Sequence, residues 1–500
     1  MDPPKALNSG LALDGSSAFS AAAQRVQLSP VNTGTFGTFA LAWSIMQLLL
    51  VLVATINSSS LEPRHVARRL LTPSDLSRHL FVMAFLRAPL RFFLRRKHLA
   101  GFELMAEESS FTMMQFCSAL LAQDLWAYCR VHTFISGYAI HTLPSTMVQN
   151  KGIIFKEIPT GWPEPGKHLA IEARDFDLEQ APPEGGMTVK TYYASFDPYQ
   201  RGRMRDPSIK SYSAPFQLGK PITNRTIMKV LKSNSDKYQP GDVVISAGVS
   251  AIEEYTALSK EEVQQVRKLE NPLNLDPKHF LGALGMPGLT AWSSFYEIGQ
   301  PKKGETIFIS AASGAVGQLV GQLAKHEGLK VVGSVGSDDK LEFITKELGF
   351  DAGFNYKKEK PSEALKRLAP NGVDIYYENV GGEQLEAAIT AMNDFGRIVA
   401  CGMISQYNLP PGEQYPIRNL MQVVSKRLTM RGFIVSDANM GPKHYQDHQQ
   451  KLQKWLANGE FKAKLSVTEG IDNGIDGFLG MLKGANFGKA ILQLADLTKE

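Results

Sequence analysis

From about Gly288 the chain alternates short apolar, β-branched runs with amphipathic helical stretches. TIFISA is followed by VGQLVGQLAKHEG, KVVGSVG by DKLEFITKELG, AGFNYK by PSEALKRLAP and VDIYYENV by EQLEAAITAM. GRIVACG closes the series. Parallel strands need a crossover connection, usually a helix of about this length. The rhythm therefore predicts an α/β fold with a doubly wound parallel sheet.

The first turn of that series reads AASGAVG, Ala311 to Gly317. Its pattern is Ala312-x-Gly314-x-x-Gly317, with alanine in place of the usual first glycine. Gly314 would let the backbone approach a pyrophosphate, and Gly317 would let the helix pack tightly on the sheet. The helix N-terminus then offers unpaired N–H groups and the positive end of its dipole. The pattern alone is weak. A strand before it, a helix after it and a second strand on schedule strengthen it. A plain glycine-rich turn is the structural alternative.

The second strand bears on which dinucleotide binds. An NAD-type site expects an acid at its end, for the ribose hydroxyls. Gly333, Ser334 and Gly336 stand there instead. Asp338 and Asp339 follow, where the next helix begins, and read as its N-terminal capping and dipole residues. Lys340 comes next. A missing acid and a nearby cation favour a 2′-phosphate, hence NADPH/NADP. For Lys340 the alternative is a solvated helix lysine.

Before this region, residues 150–260 carry β-like runs (HLAIEARDF, MTVKTYYASFD, IMKVLKS, GDVVISAG) separated by turn signals such as PPEGG and QPGD. They predict a compact β-rich unit. The tail from about residue 436 reads as helix and then β-like runs, and is expected to complete that unit.

Several chemistries lack their residues. Three cysteines, Cys117, Cys129 and Cys401, cannot build a disulfide framework, and a reducing compartment fits better. After Met147 only Cys401 remains and no CxxC occurs, so the chain is expected to use no zinc. His444 and His448 are four apart without a third ligand nearby, and read as surface residues. No GxSxG elbow supports a serine hydrolase. Residues 1–146 hold 12 Lys/Arg and 8 Asp/Glu, the remaining 354 hold 42 and 41, and this near-neutral body does not advertise a nucleic-acid surface.

Residues 1–146 have a different character. Phe36–Ile56 is a 21-residue apolar run inside the uncharged stretch 31–61, long enough for a membrane helix. Residues 62–97 carry nine Lys/Arg against two acids, which would hold the following chain on the cytoplasmic side. The other reading is an erroneously included or poorly ordered leader, because MVQNKGIIFKEIPTG from Met147 reads like the start of a complete soluble enzyme. Membrane attachment is expected only under the first reading. A cytoplasmic location follows from the second.

Three stretches look costly to keep for packing alone. FDPYQRGRM (Phe196–Met204) begins with a turn signal and aims Tyr199 and its arginines at a cleft. VACGMISQYN (Val399–Asn408) puts Cys401 and Gly402 at a strand's carboxyl end, where α/β sheets bind ligands, and carries Tyr407 on the next loop. NFGK (Asn486–Lys489) precedes a last strand-like run. Structural alternatives stand beside each: Tyr199 as a barrel cap, Tyr407 as an ordinary loop tyrosine, Asn486 as an Asx-turn.

From Met147 onward these motifs, together with FNYK, YENVGG and RGFIV, resemble one family. It is the zinc-independent medium-chain reductases of the leukotriene B4 dehydrogenase/prostaglandin reductase and alkenal double-bond reductase group. The resemblance spans about 350 residues, and residues 1–146 have no counterpart in it. It implies a GroES-like domain from residues 147–287 and 436–500, a Rossmann domain from 288–435, and a homodimer. It also implies that Gly314, Ala315, Val316 and Gly317 hold the pyrophosphate, and that Lys340 and Tyr356 contact the 2′-phosphate. Asn379, Cys401, Gly402, Tyr407, Phe433, Ile434, Val435 and Asn486 would line the rest of the cofactor. Tyr199 and Tyr407 would face a small enal or enone. The implied reaction is hydride transfer from NADPH to the β-carbon of an α,β-unsaturated carbonyl. Tyr407 is then the first candidate to stabilise the enolate, and the proton donor to the α-carbon stays open among Tyr407, Tyr199, the cofactor ribose and water. A quinone reductase of the same fold and a non-catalytic cofactor-binding scaffold are the alternatives.

Overall fold

The computed structural model describes residues 147–499. The apolar run Phe36–Ile56, with the rest of residues 1–146, lies outside them. Among the described residues no helix is long and apolar enough to cross a membrane.

The chain first lays down strands β1 (Met147–Phe155), β2 (Leu169–Asp177), β3 (Met187–Ser195), β4 (Thr223–Asn224), β5 (Thr226–Ser233), β6 (Val243–Ser246), β7 (Ser250–Ala251), β8 (Tyr255–Leu258) and β9 (Val266–Lys268). β1 and β2 form an antiparallel pair. β3, β5, β6 and β9 are successive antiparallel neighbours, and β8 also lies on β3.

The next strands are β10 (Thr306–Ile309), β11 (Lys330–Val335), β12 (Ala352–Asn355), β13 (Val373–Glu378), β14 (Met392–Ala400) and β15 (Thr429–Gly432). All are parallel, in the order β12-β11-β10-β13-β14-β15. That is the doubly wound order, with its switch point between β10 and β13. Alternating side chains on β10 show why both faces are covered. Ile307 and Ile309 enter the core with Leu319, Val320 and Leu323 of helix Gly317–His326. Phe308, between them, enters the opposite core with Leu365 and Leu385. Its ring stacks on Tyr376 at 5.0 Å. Truncating Phe308 to alanine would cost about 3–5 kcal/mol.

The last strands, β16 (Leu465–Glu469) and β17 (Lys489–Gln493), return to the first sheet. β17 runs antiparallel to β3, with Ile491 opposite Ser195, and β16 pairs parallel to β17.

One expectation fails. His448 is not a surface residue: it is fully buried, its Nε2 lies 2.9 Å from the Ala283 carbonyl, and its ring packs edge-on to Trp292. Helix Gly441–Ala457 turns this face onto helix Met286–Ser294. His444, one turn away, is partly buried and lies 2.8 Å from Glu297 Oε1.

Candidate active site

Because β10–β15 are parallel, their carboxyl ends share one edge of the sheet. Segments leaving that edge carry Gly314–Gly317 after β10, Lys340 after β11, Tyr356 after β12 and Asn379 after β13. Cys401, Gly402 and Tyr407 follow β14, and Phe433–Val435 follow β15. Residues scattered over 120 positions of sequence are thus gathered by topology alone.

The turn after β10 is shaped for close approach. A Cβ on Gly317 would lie 2.5 Å from the Ala311 carbonyl oxygen, so the helix can start this close only with glycine. In front of Gly314 the space is open, with only the Ala311 oxygen nearby. The N–H groups of Val316 and Gly317 have no acceptor among the described residues. Unsatisfied donors at a helix N-terminus suit a phosphate. This cradle fits a dinucleotide pyrophosphate.

The acids after β11 are already engaged. Asp338 accepts from Asn355 Nδ2 at 2.9 Å and from Lys358. Asp339 accepts from Ser337 Oγ. Both stand in the first turn of helix Asp338–Glu342. The Tyr356 hydroxyl lies against Gly336. Lys340 Nζ donates to the Gly484 carbonyl at 2.8 Å. Burial pushes the Lys340 pKa below the usual lysine value, Asp339 opposes this, and the neighbouring Lys357 ammonium adds to it. Two cations and a phenol with no free carboxylate suit a phosphate ester.

Between β13 and β10 the contacts are internal. Asn379 Nδ2 donates to the Ser310 carbonyl at 2.7 Å, and its N–H donates to Ser310 Oγ at 2.9 Å. The Glu378 carboxylate is fully buried and accepts from the N–H of Gly381 at 2.8 Å and of Val380 at 2.5 Å. Burial pushes its pKa up and those N–H groups oppose it. Burial likewise pushes the Cys401 thiol up to about 12, so it stays protonated at neutral pH.

Tyr407 stands over this edge. The N–H of Met403 donates to its hydroxyl at 3.2 Å, and the phenol's own proton has no acceptor among the described residues. A Cβ on Gly402 would lie 2.8 Å from that oxygen, so glycine is what admits the phenol. Burial pushes its pKa up to about 12, and charge on Cys401 or Tyr212 would raise it further. Tyr212, 63% exposed, is a second phenol at this place that the sequence reading missed. Only its loop position marked it, and loop tyrosines are common.

The motif FDPYQRGRM ties the two sheets together. Tyr199 donates its hydroxyl proton to Asn224 Oδ1 at 2.9 Å, and burial, then Asp197, raise its pKa. Arg201 Nε reaches Asn408 Oδ1 at 2.7 Å. Arg203 holds the Ala214 carbonyl at 2.9 Å and both oxygens of Thr223 at 2.7 Å, which staples the loop that carries Tyr212. Asn486 Nδ2 donates to the Gly488 carbonyl at 2.6 Å, so its amide closes a local turn. Gly488 bridges to Gly314 across the cleft. Phe433 packs against the main core, and the Val435 carbonyl accepts from the N–H of Gly441 at 2.9 Å.

Residues 151–266 match the family model described as N-terminal domain of oxidoreductase, and residues 315–454 match the one described as zinc-binding dehydrogenase. The chain is 56% identical over 351 residues to the NADP-dependent oxidoreductase RED1 of Cochliobolus heterostrophus, covering 70% of this chain and 99% of that one. The chain belongs to the zinc-independent medium-chain dehydrogenase/reductase family. Another relative in that family is the 2-alkenal reductase (NADP(+)-dependent) of Nicotiana tabacum, 41% identical, covering 70% of this chain and 98% of that one. The structure of CurA from Vibrio vulnificus in complex with NADPH is similar with a TM-score of 0.62 and 33% identity, covering 69% of this chain and 99% of that one. Zinc in the second model's description has no donor set here: among the described residues no three His, Cys, Asp or Glu side chains gather to hold a metal.

Proposed function

We propose that this medium-chain reductase uses NADPH to reduce the C=C bond of α,β-unsaturated aldehydes and ketones. The observation that carries the reading is the Tyr407 phenol, whose unspent proton lies at the sheet edge where the phosphate-binding turn opens. The identities to the tobacco 2-alkenal reductase and to RED1 support it.

In this reading Gly314–Gly317 hold the pyrophosphate, and Lys340, Lys357 and Tyr356 hold the 2′-phosphate. Asn379, Cys401, Gly402, Phe433–Val435 and Asn486 line the remainder. Bound NADPH supplies a hydride for the β-carbon of the substrate. Negative charge then gathers on the substrate's carbonyl oxygen. Tyr407 donates a hydrogen bond there, and the Met403 N–H that its oxygen accepts strengthens it as a donor. The Tyr199 hydroxyl already donates its hydrogen bond to Asn224, so it serves as a wall. Arg201 holds Asn408, and through it the Tyr407 loop.

The same reading divides the chain into a GroES-like unit, 147–287 with 436–500, and a Rossmann unit, 288–435. It also includes a homodimer and a cytoplasmic catalytic unit. β15 supports the dimer: it is an edge strand with all four residues exposed, and Leu420, Met421 and Val424, a few positions earlier in sequence, are exposed as well. Light scattering on the wild type and on Val424→Lys tests it. A dimer mass that falls in the variant supports it, and a monomeric wild type ends it.

For the activity, the full chain is mixed with NADPH and 2-hexenal, and absorbance is followed. Loss of NADPH with the enal, and much slower loss of NADH, is expected. Turnover of a small quinone but not of the enal would make it a quinone reductase. Binding of NADPH without turnover of either would make it a scaffold.

A further inference from the structure

Beneath Tyr199 runs a buried polar chain that the proposed reaction does not use. Asn224 accepts the Tyr199 hydrogen bond on Oδ1 and donates from Nδ2 to Asp197 Oδ2 at 3.0 Å. The same carboxylate oxygen accepts from Ser195 Oγ at 2.5 Å. Asp197 Oδ1 accepts from Lys489 Nζ at 2.9 Å, and that ammonium also donates to the Phe196 carbonyl. Asn224, Ser195, Asp197 and Lys489 are all buried, the lysine to 1% exposure.

A buried ion pair is a poor source of stability. An apolar pair of the same volume often does as well or better, because desolvation offsets the attraction. What such a pair does supply is direction, since both Asp197 oxygens and the Lys489 ammonium are held by fixed partners. The lysine is also next to the cofactor side. Gly488, its neighbour in sequence, donates its N–H to the Ser313 carbonyl at 3.1 Å, in the phosphate-binding turn. One residue of backbone thus separates that turn from the side chain that anchors Asp197.

We propose that Lys489 is a positioning residue: through Asp197 and Asn224 it fixes the Tyr199 ring, and through Gly488 it ties that wall to the phosphate-binding turn. The two sequence motifs FDPYQRGRM and NFGK are then halves of one device. This rests on the reading of Tyr199 as a substrate wall and of Ser313–Gly317 as the pyrophosphate turn.

Hydrogen exchange on the full chain tests it without turnover. In the wild type, NADPH is expected to slow exchange at 312–318 and also at 196–204. In Lys489→Met, protection at 312–318 should persist and protection at 196–204 should disappear. Retained protection of both segments in the variant, or none at 196–204 in the wild type, overturns the proposal. Should Lys489→Met not fold, Asn224→Ala and Tyr199→Phe decide, since both leave the ion pair in place. Each is expected to raise the KM for 2-hexenal several-fold, and the double variant to raise it no further. Additive effects overturn the relay. Absence of wild-type turnover would refute the reductase reading, while the exchange result would still judge Lys489.

Discussion

Arg201 Nε donates to Asn408 Oδ1 at 2.7 Å, from the short helix Gln200–Arg203 after β3 to the residue that follows Tyr407. The guanidinium also holds the Gly161 carbonyl at 2.7 Å and the Pro159 carbonyl at 3.3 Å, and no carboxylate of the described residues pairs with it. Burial lowers its pKa from the usual arginine value. A charge kept among carbonyls is there for geometry. Hydrogen bonds to charged groups are worth about 1.5–3 kcal/mol. Arg201→Lys cannot repeat the fork, so we expect kcat/KM for an enal to fall about 10-fold or more, with the NADPH Kd changed less than threefold on the order-of-magnitude scale of a remote contact. Steady-state kinetics and fluorescence titration check this. An equal loss in both would mean that Arg201 supports cofactor binding instead.

Tyr407→Phe removes one donor and leaves the Met403 N–H without its acceptor. Loss of a single oxyanion donor costs about 10²–10³ in kcat. We expect a loss of that order for an enal and little change in the NADPH Kd. The pH profile gives a second check. The neutral phenol is the donor, and it is lost only as pH rises through about 12. Wild-type kcat should therefore show no limb from this group between about pH 6 and 9, a window well below its raised pKa.

The 2′-phosphate side predicts a change of cofactor preference. Lys340→Ala should weaken NADPH about 10-fold, the scale of one charge-assisted bond. NADH should bind as before, because it lacks the phosphate. Lys357→Ala should act in the same direction and less strongly, since it lies beside Lys340 and is not tied to Gly484. If both cofactors weaken equally, the lysine supports the fold around Gly484 and not the phosphate.

The parallel sheet was legible because β10–β14 repeat a strand–helix rhythm with turn residues between, a pattern set by local chemistry. The places of Gly314, Gly317, Lys340, Cys401 and Gly402 followed from it, whereas Tyr356, Asn379 and Phe433–Val435 were named only through the family resemblance. The polar partners were not legible. Asn224 meets Tyr199 across 25 positions, and Lys489 meets Asp197 across 292. Nothing in local spacing encodes such pairs. His448 shows the same limit from the other side. A histidine on a polar helix reads as exposed until the facing helix, with Ala283 and Trp292, is known.

That histidine makes the last prediction. Burial drives its pKa down to about 4, while the Ala283 carbonyl partly holds it up. An unfolded histidine titrates near pH 6.5. Its folded pKa is depressed, so the associated stability is fully present above about pH 6.5 and is lost as pH falls toward about 4. Below that, both states hold the proton and the loss stops. Two to three pKa units correspond to about 3 kcal/mol. His448→Gln can still donate to the Ala283 carbonyl but cannot titrate. We expect the variant to be somewhat less stable at pH 7.5 and to lose less Tm than the wild type on going to pH 4.5. Carboxylates titrate in both proteins, so the difference between the two curves isolates the histidine. Parallel curves would mean that His448 takes up its proton without leaving the core.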